Sequence, residues 1–236
     1  MTALHRTAYP RFPQQYAAHD LQAAYTPTEE EQAFVRREAR GSPHQFRLLV
    51  LLKVFQHLGH FPPPATIPLV VLAHIRQTGG FADDVAFDAA QDRLHQRHQA
   101  AVRAYIGVAP ADAQARRVAL AAVYRAAAVM DMPADLINVA IDELLKQAYE
   151  LPAFSTLDRM VGHARTQVNR RLCQEVVQAL TPDQQAQLAT LLVRDPQTGR
   201  TAFNALKQPP KRPTLSQLKK LLDRYDWLIT LGDPTP

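Results

Sequence analysis

Cysteine is almost absent from this chain, since Cys173 is the single one among 236 residues. One cysteine excludes an internal disulfide bond and is typical of proteins that fold in a reducing compartment. The first residues also lack the apolar core of a secretory signal peptide, so we expect a cytoplasmic protein. Cys173 follows Leu172 in a helical pattern, which favours a structural residue over a catalytic nucleophile.

The common signatures of catalysis and of cofactor binding are missing as well. The diglycine at 79–80 is not followed by the Lys-Ser/Thr of a nucleotide-binding loop. His57 and His60 are three residues apart, as are His95 and His98, but neither pair has an evident third ligand for a metal. No His-Glu-x-x-His motif and no nucleophile elbow occurs. We therefore expect no metal, no cofactor and no enzymatic activity.

Charge is unevenly distributed along the chain. Residues 1–150 carry 15 basic and 15 acidic side chains, whereas residues 151–236 carry 12 basic and 7 acidic ones. The basic second part favours a polyanionic partner such as nucleic acid, although an acidic protein or plain solubility would fit the same balance. No apolar run is long enough to cross a membrane, so we expect no membrane partner.

The most apolar stretch lies between residues 42 and 64 and predicts the central helix of a core. Ser42 suits the N-cap, Pro43 the first helical position, and Gln45 the return contact of a capping box. Between residues 46 and 58, apolar side chains occupy most of the helical circumference, which predicts burial on nearly every side. Gly59 and three prolines then end the helix. Other helices must therefore surround this one.

The rest of the chain has the period of a helix without the alternation of a strand, which predicts an all-α fold. Residues 1–25 have little periodicity, so we expect an irregular N-terminal arm that either enters a nucleic-acid groove or covers the core. A break near residue 109 divides the remainder into two helical, helix-turn-helix-like subdomains, residues 26–109 and residues 110–236. The last helix, after Thr214, is expected to turn Leu215, Leu218, Leu221, Leu222 and Tyr225 inward.

Short-range patterns predict where other helices begin and which side chains they bury. Capping residues predict helix starts at Thr26, Asp112 and Thr181, and a polar loop is expected over residues 195–213. Apolar residues at helical spacing predict the inner faces of two helices before Thr181. They are Ile137, Ile141, Leu144 and Leu145 in the first of these helices, and Leu157, Met160, Val161, Ala164, Val168, Leu172 and Val176 in the second.

One predicted helix, over residues 88–106, has two dissimilar faces. Its apolar residues share one face with His98 at about 100° per residue. The opposite face carries cationic and amide side chains without a carboxylate after Asp92. Its members are Arg93, Gln96, Arg97 and Arg103. Arg and Gln suit bidentate contacts with guanine and adenine, and Arg also neutralises phosphate. The alternative is an ordinary solvated face, which is common on helices.

A second cationic face is predicted on the long helix that begins near residue 155. Its polar residues recur at steps of four, three and four: Arg159, His163, Thr166 and Arg170. Contacts in a second DNA groove or plain exposure to solvent would each explain this face. Farther along, Lys211 and Arg212 lie in a basic, proline-containing loop that either contacts phosphates or only links two helices.

Five groups of short motifs follow one another along the chain. They are His44-Gln45-Phe46-Arg47 with Lys53 and Phe55, Gly59-His60-Phe61-Pro62 with Ile67-Pro68, Arg97-His98 with Tyr105-Ile106-Gly107, Leu151-Pro152 with Thr156-Leu157-Asp158-Arg159, and Pro213-Thr214-Leu215. In this order and spacing they resemble the N-terminal region of the replicative, class II transposases of the Tn-three family. The resemblance extends from about residue 25 to residue 232.

This resemblance implies a function that composition and periodicity do not reveal. In that family the corresponding region is helical, binds the terminal inverted repeats of the transposon, and precedes the Asp-Asp-Glu nuclease domain. By resemblance we expect a non-catalytic module that binds double-stranded DNA at transposon ends. Its further partner would be a second copy of the chain or the remainder of a transposase. A complete transposase would continue beyond Pro236, so a truncated or free-standing relative is expected.

An all-α protein-interaction or assembly module without direct DNA contact is the alternative hypothesis. In that case both cationic faces would only be solvated. Binding to a labelled duplex that weakens with salt would distinguish the first hypothesis from the second, because phosphate contacts release counterions.

Overall fold

A computed structural model describes residues 6–87, 90, 93–206 and 214–230, and the regular elements in these ranges are helices. The α-helices are α1 (Ala18–Tyr25), α2 (Glu29–Glu38), α3 (Ser42–Leu58), α4 (Leu69–Thr78), α5 (Arg93–Ile106), α6 (Ala113–Ala127), α7 (Pro133–Lys146), α8 (Phe154–Ala179), α9 (Pro182–Thr190), α10 (Ala202–Leu206) and α11 (Leu215–Thr230). A 3-10 turn lies at Pro64–Thr66. The predicted all-α fold is confirmed.

Helix α3 is the centre of the core, as its apolar circumference predicts. Every residue between positions 46 and 55 is buried, including the charged Arg47 and Lys53. Helices α1, α2, α4 and α5 each pack against α3. Their buried side chains include Tyr25, Phe34, Val35, Val71, Ile75 and Val102. Each fully buried apolar side chain of this size contributes about 1.5 to 3 kcal/mol, so the surrounding helices and α3 stabilise one another.

The start of α3 differs in detail from the prediction. Gly41, not Ser42, is the N-cap residue, and its φ of 81° lies in the left-handed region that glycine tolerates. The Nε2 atom of Gln45 donates to the carbonyl oxygen of Ala39 at 3.0 Å. Gln45 therefore reaches back past the cap and fixes the turn from α2, in place of the predicted capping box.

A buried ion pair fastens the N-terminus of α2 to α3. Lys53 Nζ lies 3.2 Å from each carboxylate oxygen of Glu31, and both side chains are 7% exposed. Gln56 Nε2 donates to the same carboxylate at 2.6 Å, as does the amide of Thr28 at 2.8 Å. Thr28 caps α2 by accepting from the Glu31 amide, so α2 begins slightly later than predicted. Glu31 thus closes the capping box and neutralises the one lysine of α3.

The N-terminal arm contains a helix, α1, which the sequence does not predict. Tyr25 at its end is 1% exposed, and Leu21 and Ala24 pack against the core. Earlier in the arm Tyr9 is buried, and its hydroxyl donates to the carbonyl of Pro152 at 3.0 Å. Of the two predicted roles for the arm, these contacts favour covering the core. Burial of Tyr25 stabilises α1 although its sequence pattern is weak.

Main-chain hydrogen bonds join the first five helices to the pair that follows. The amide of Ala109 donates to Ala148, and that of Glu150 donates to Ala109, both at 2.8 Å. The amide of Leu151 donates to Gly59 at 2.9 Å. Gly59 ends α3 with a φ of 68°, and a Cβ built there would lie 3.5 Å from Leu151 Cδ1. Residue 109, the predicted subdomain boundary, therefore lies inside a bonded part of the structure.

The chain forms two compact units, Met1–Thr166 and Gln167–Pro236, here called the first and second unit. The division falls inside α8, whose part in the first unit buries Leu157, Val161 and Ala164 as predicted. This division is 57 residues farther along the chain than the predicted one, since it follows residue 166 and not residue 109.

Helices α6 and α7 pack against each other within the first unit. The capping of α6 by Asp112 is confirmed, because its Oδ1 accepts from the amides of Gln114 and Ala115 at 2.8 Å and 3.0 Å. Ile137 of the predicted α7 stripe is fully buried. The same stripe was expected to include Leu145, which is instead 52% exposed. Leu145 lies at the end of α7, where the helical period alone does not decide which neighbour covers a side chain.

The structure of the second unit differs more from the sequence-based prediction than that of the first unit does. The capping box at Thr181 is confirmed, but a short helix, α10, lies in the segment predicted as a loop. Apolar residues predicted to face inward on the end of α8 and on α11 are 39% to 85% exposed. They are Leu172, Val176, Leu215, Leu218, Leu221, Leu222 and Tyr225. Spacing shows which side chains share a helix face but not whether another element covers that face.

Candidate nucleic-acid interface

The outer face of α5 presents three of the predicted DNA-binding residues to solvent. Arg93, Gln96 and Arg97 are all exposed. None of their side chains has a hydrogen bond or ion pair with another residue in the part of the chain that the structure describes. On the other side of the helix His95, His98 and Val102 are buried. The predicted two-faced character of α5 is therefore confirmed, and its exposed cations are available to a ligand.

Arg103 departs from the expected stripe. Its Nε donates to Glu150 Oε2 at 2.7 Å, and its guanidinium carbon lies 5.2 Å from the centroid of the Phe61 ring. The two charged side chains are 22% and 11% exposed. Glu150 is 47 residues away along the chain, so this pair is not visible in the sequence. Arg103 is better explained as a structural link, because contact with DNA would require breaking a largely buried ion pair.

The buried side of α5 contains a histidine that is held neutral. Burial, together with the smaller effect of the nearby charges of Arg47 and His44, lowers the pKa of His98 to about 4. The rings of His44 and His98 have their centroids 6.5 Å apart. Near neutral pH His98 therefore adds no positive charge to α5.

The predicted face on α8 is exposed along its whole length. Arg159, His163 and Thr166 lie in the first unit, and Thr166 Oγ1 donates to the Gly162 carbonyl at 2.8 Å. Arg170 is exposed as well but belongs to the second unit. Neither Arg159 nor Arg170 has an ion-pair partner among the described residues.

Two other arginines of α8 are neutralised by carboxylates. Arg165 Nε donates to Asp131 Oδ1 at 2.6 Å, and its NH2 nitrogen donates to Oδ2 at 2.9 Å. This bidentate contact raises the pKa of Arg165. Arg171 donates to Glu175 one turn away at 2.8 Å. The structure thus separates the α8 arginines into paired ones and unpaired ones, and Arg159 and Arg170 belong to the second group.

Arg159 and His163 of α8 line a groove that also includes α6. The groove has a volume of about 550 Å³, and none of the described residues that line it is acidic. They are Arg116, Leu120, Thr156, Arg159, Met160 and His163. Leu120 and Met160 give the groove an apolar part, while two guanidinium groups and an imidazole supply hydrogen-bond donors. This arrangement fits a ligand that combines an anionic group with an apolar edge.

Arg116 is a candidate that the sequence reasoning missed. It lies on α6, which carries three arginines and no carboxylate between Ala113 and Ala127. That imbalance is the signal in the sequence that points to Arg116, whereas the Ala-rich composition of α6 by itself indicates only a helix. The side chain of Arg116 is exposed and has no hydrogen bond or ion pair with a described residue.

Lys211 and Arg212 lie outside the described residues. Across the ranges the structure describes, no three His, Cys, Asp or Glu side chains group as metal ligands would. Helices of sufficient length and apolarity to span a bilayer are likewise not found there.

Comparison with known proteins connects this structure to a family. The sequence profile of the family described as "Domain of unknown function (DUF4158)" matches residues 1–164, which is more than half of the chain. The chain belongs to the DUF4158 family. Its match ends two residues before the first unit does, so the DUF4158 region contains both the α5 face and the α6–α8 groove.

Two transposases are similar to this DUF4158 protein. The transposase for transposon Tn1546 of Enterococcus faecium is 30% identical over 95 residues, covering 39% of this chain and 10% of that relative. The transposase for transposon Tn501 of Pseudomonas aeruginosa is 24% identical over 213 residues, covering 87% of this chain and 21% of that relative. The chain is therefore a transposase-related region that spans about a fifth or less of the length of these relatives.

Proposed function

We propose that this chain is a non-catalytic module that binds double-stranded DNA at transposon ends. The groove between α6 and α8 carries the argument, since it brings Arg116 and Arg159 together from separate helices. Its described lining contains no carboxylate to neutralise them. The similarity to two transposases supports DNA as the polyanion over other anions.

The groove and the α5 face would have different tasks. Arg116 and Arg159 project from neighbouring helices beside apolar side chains, and such cations suit phosphate oxygens along one strand of the duplex. Gln96 and Arg97 are adjacent on one exposed helix face, where Arg can contact guanine and Gln can contact adenine in the major groove. We therefore assign positioning to the groove and sequence reading to α5. Arg170, Lys211 and Arg212 remain predicted additional contacts.

These assignments are tested by measuring the anisotropy of two labelled duplexes. One carries the terminal inverted repeat that flanks the encoding gene, and the other is a shuffled duplex of equal length. Arg97→Ala should weaken binding to the repeat by about 1 to 3 kcal/mol and binding to the shuffled duplex much less. Arg159→Ala should weaken both and reduce the slope of affinity against salt by about one charge.

Lys146→Ala is a matched control, because Lys146 is an exposed cation that lies on neither surface. It should leave both affinities close to those of the wild type. If replacing Arg93, Gln96, Arg97, Arg116 and Arg159 together leaves binding unchanged while helical content is intact, the proposal is wrong. The protein-interaction module would then be the better description.

A further inference from the structure

Helix α11 carries a seam of exposed apolar residues at heptad spacing. The seam residues are separated by three, four, three and four positions: Leu215, Leu218, Leu222, Tyr225 and Ile229. Each of them is 51% to 85% exposed. Alternation of three and four is the period by which two helices pack their side chains into each other's gaps. The seam therefore fits a partner helix and remains uncovered by the residues that the structure describes.

Charged residues beside the seam restrict what that partner can be. Lys219 and Asp226 are seven residues apart, so they lie on the same side of the seam. Both are exposed, and neither has an ion pair with a described residue. A complementary partner must place an acidic group opposite Lys219 and a basic group opposite Asp226. An antiparallel copy of α11 has that arrangement, because reversing the helix exchanges the two positions.

A parallel copy would not satisfy the same charges. In a parallel pair, a residue that flanks one side of the seam faces a residue that flanks the other side of the seam in the partner helix. Asp226 would then face Leu221, and Lys219 would face Thr214. Neither neighbour neutralises a charge, and Leu221 would place an apolar side chain beside a carboxylate. The charge pattern thus favours an antiparallel pair.

We propose that α11 is a self-association surface through which two copies of this chain pair in an antiparallel fashion. The pair is centred between Leu222 and Tyr225, and Lys219 of each copy faces Asp226 of the other. The helix has 16 residues and is about 24 Å long, which provides slightly more than two heptads. So short a seam gives a reversible association of the kind seen at small interfaces. The inference does not depend on DNA binding.

Charge exchange tests this geometry directly in the full chain. Molar mass is measured by sedimentation equilibrium at low salt, from about 1 to about 300 µM, a range suited to a small interface. The wild type should show a monomer–dimer equilibrium. Lys219→Glu and Asp226→Lys should each weaken it by about tenfold, because each converts two attractive contacts per dimer into repulsive ones. The double variant should recover an affinity within about threefold of the wild type.

Lys220→Glu is the matched control, since it makes the same charge change at an adjacent exposed residue outside the seam and its flanks. It should leave the dimer unaffected, whereas Leu222→Lys should give a monomer with unchanged helical content. The proposal is overturned by a wild-type chain that stays monomeric throughout, or by a dimer that persists in Leu222→Lys. It is also overturned if the double charge exchange fails to restore association, which would indicate a different orientation or a different partner.

Discussion

Removing the carboxylate of Glu31 tests whether the centre of the first unit is organised as described. The side chains of Glu31 and Lys53 are each 7% exposed, so Glu31→Leu leaves a buried ammonium without its counter-ion. It also removes the acceptor for Gln56 Nε2 and for the Thr28 amide. Breaking a buried ion pair from one side costs about 3 to 5 kcal/mol, and we expect that loss of unfolding free energy.

Lys53→Met should cost less, about 1 to 3 kcal/mol, because Glu31 keeps its contacts with Gln56 and Thr28. The double variant should be more stable than Glu31→Leu alone, since it no longer buries an unpaired charge. We expect a coupling free energy of about 2 kcal/mol between the two positions. The measurement is urea unfolding followed by circular dichroism at pH 7.

Glu175→Leu provides a comparison, because Glu175 pairs with Arg171 on the exposed surface of α8. It should cause no measurable change in unfolding free energy. Additive effects of Glu31→Leu and Lys53→Met, or a loss below about 1 kcal/mol in the first, would refute the reasoning. Lys53 would then be hydrated in solution.

Three further predictions concern the same unit. Leu51→Ala should lower the unfolding free energy by about 2 to 5 kcal/mol, because it opens a cavity beside a residue that is 1% exposed; a loss below about 1 kcal/mol would contradict the central place of α3. Gly59→Ala should cost about 1 to 2 kcal/mol in the same urea assay, because the φ of 68° strains any side chain, and an unchanged midpoint would contradict that strain. The pKa of His98 is lowered from 6.5 to about 4, so the unfolded chain binds a proton that the folded one excludes between these values. Stability should therefore fall by up to about 3 kcal/mol as pH decreases from 7 to 4, and His98→Gln should show a smaller fall; equal falls in both proteins would show that His98 is not the cause.

Local patterns predicted the elements of this fold that depend on the chain's own periodicity. Helix α3 was predicted because apolar side chains surround it, and the caps at Asp112 and Thr181 were predicted from short-range rules. Helix α1 was missed because its stability comes from burial of Tyr25 in a core built by other helices. The uncovered face of α11 was mistaken for an inner one because spacing carries no information about neighbours.

The candidate site could likewise be predicted only where it depends on the periodicity of a single helix. Exposure of Arg97 and Arg159 followed from the helical period. The pairing of Arg103 with Glu150 did not, because the two residues are brought together only by the fold. Arg116 joins the groove for the same reason, since it lies on a different helix from Arg159. Contacts between residues distant in sequence are what single-sequence reasoning cannot supply.

The salt dependence of binding by the wild-type chain tests the central claim most directly. Affinity for the inverted-repeat duplex and for the shuffled duplex is measured between about 50 and 200 mM salt, the range in which phosphate contacts are most evident. With four unpaired arginines on the two surfaces, the logarithm of affinity should fall with a slope of about −3 to −4 against the logarithm of salt. The repeat should be bound at least about tenfold more tightly than the shuffled duplex. A slope near zero, or equal affinity for both duplexes, would contradict the proposed recognition of transposon ends.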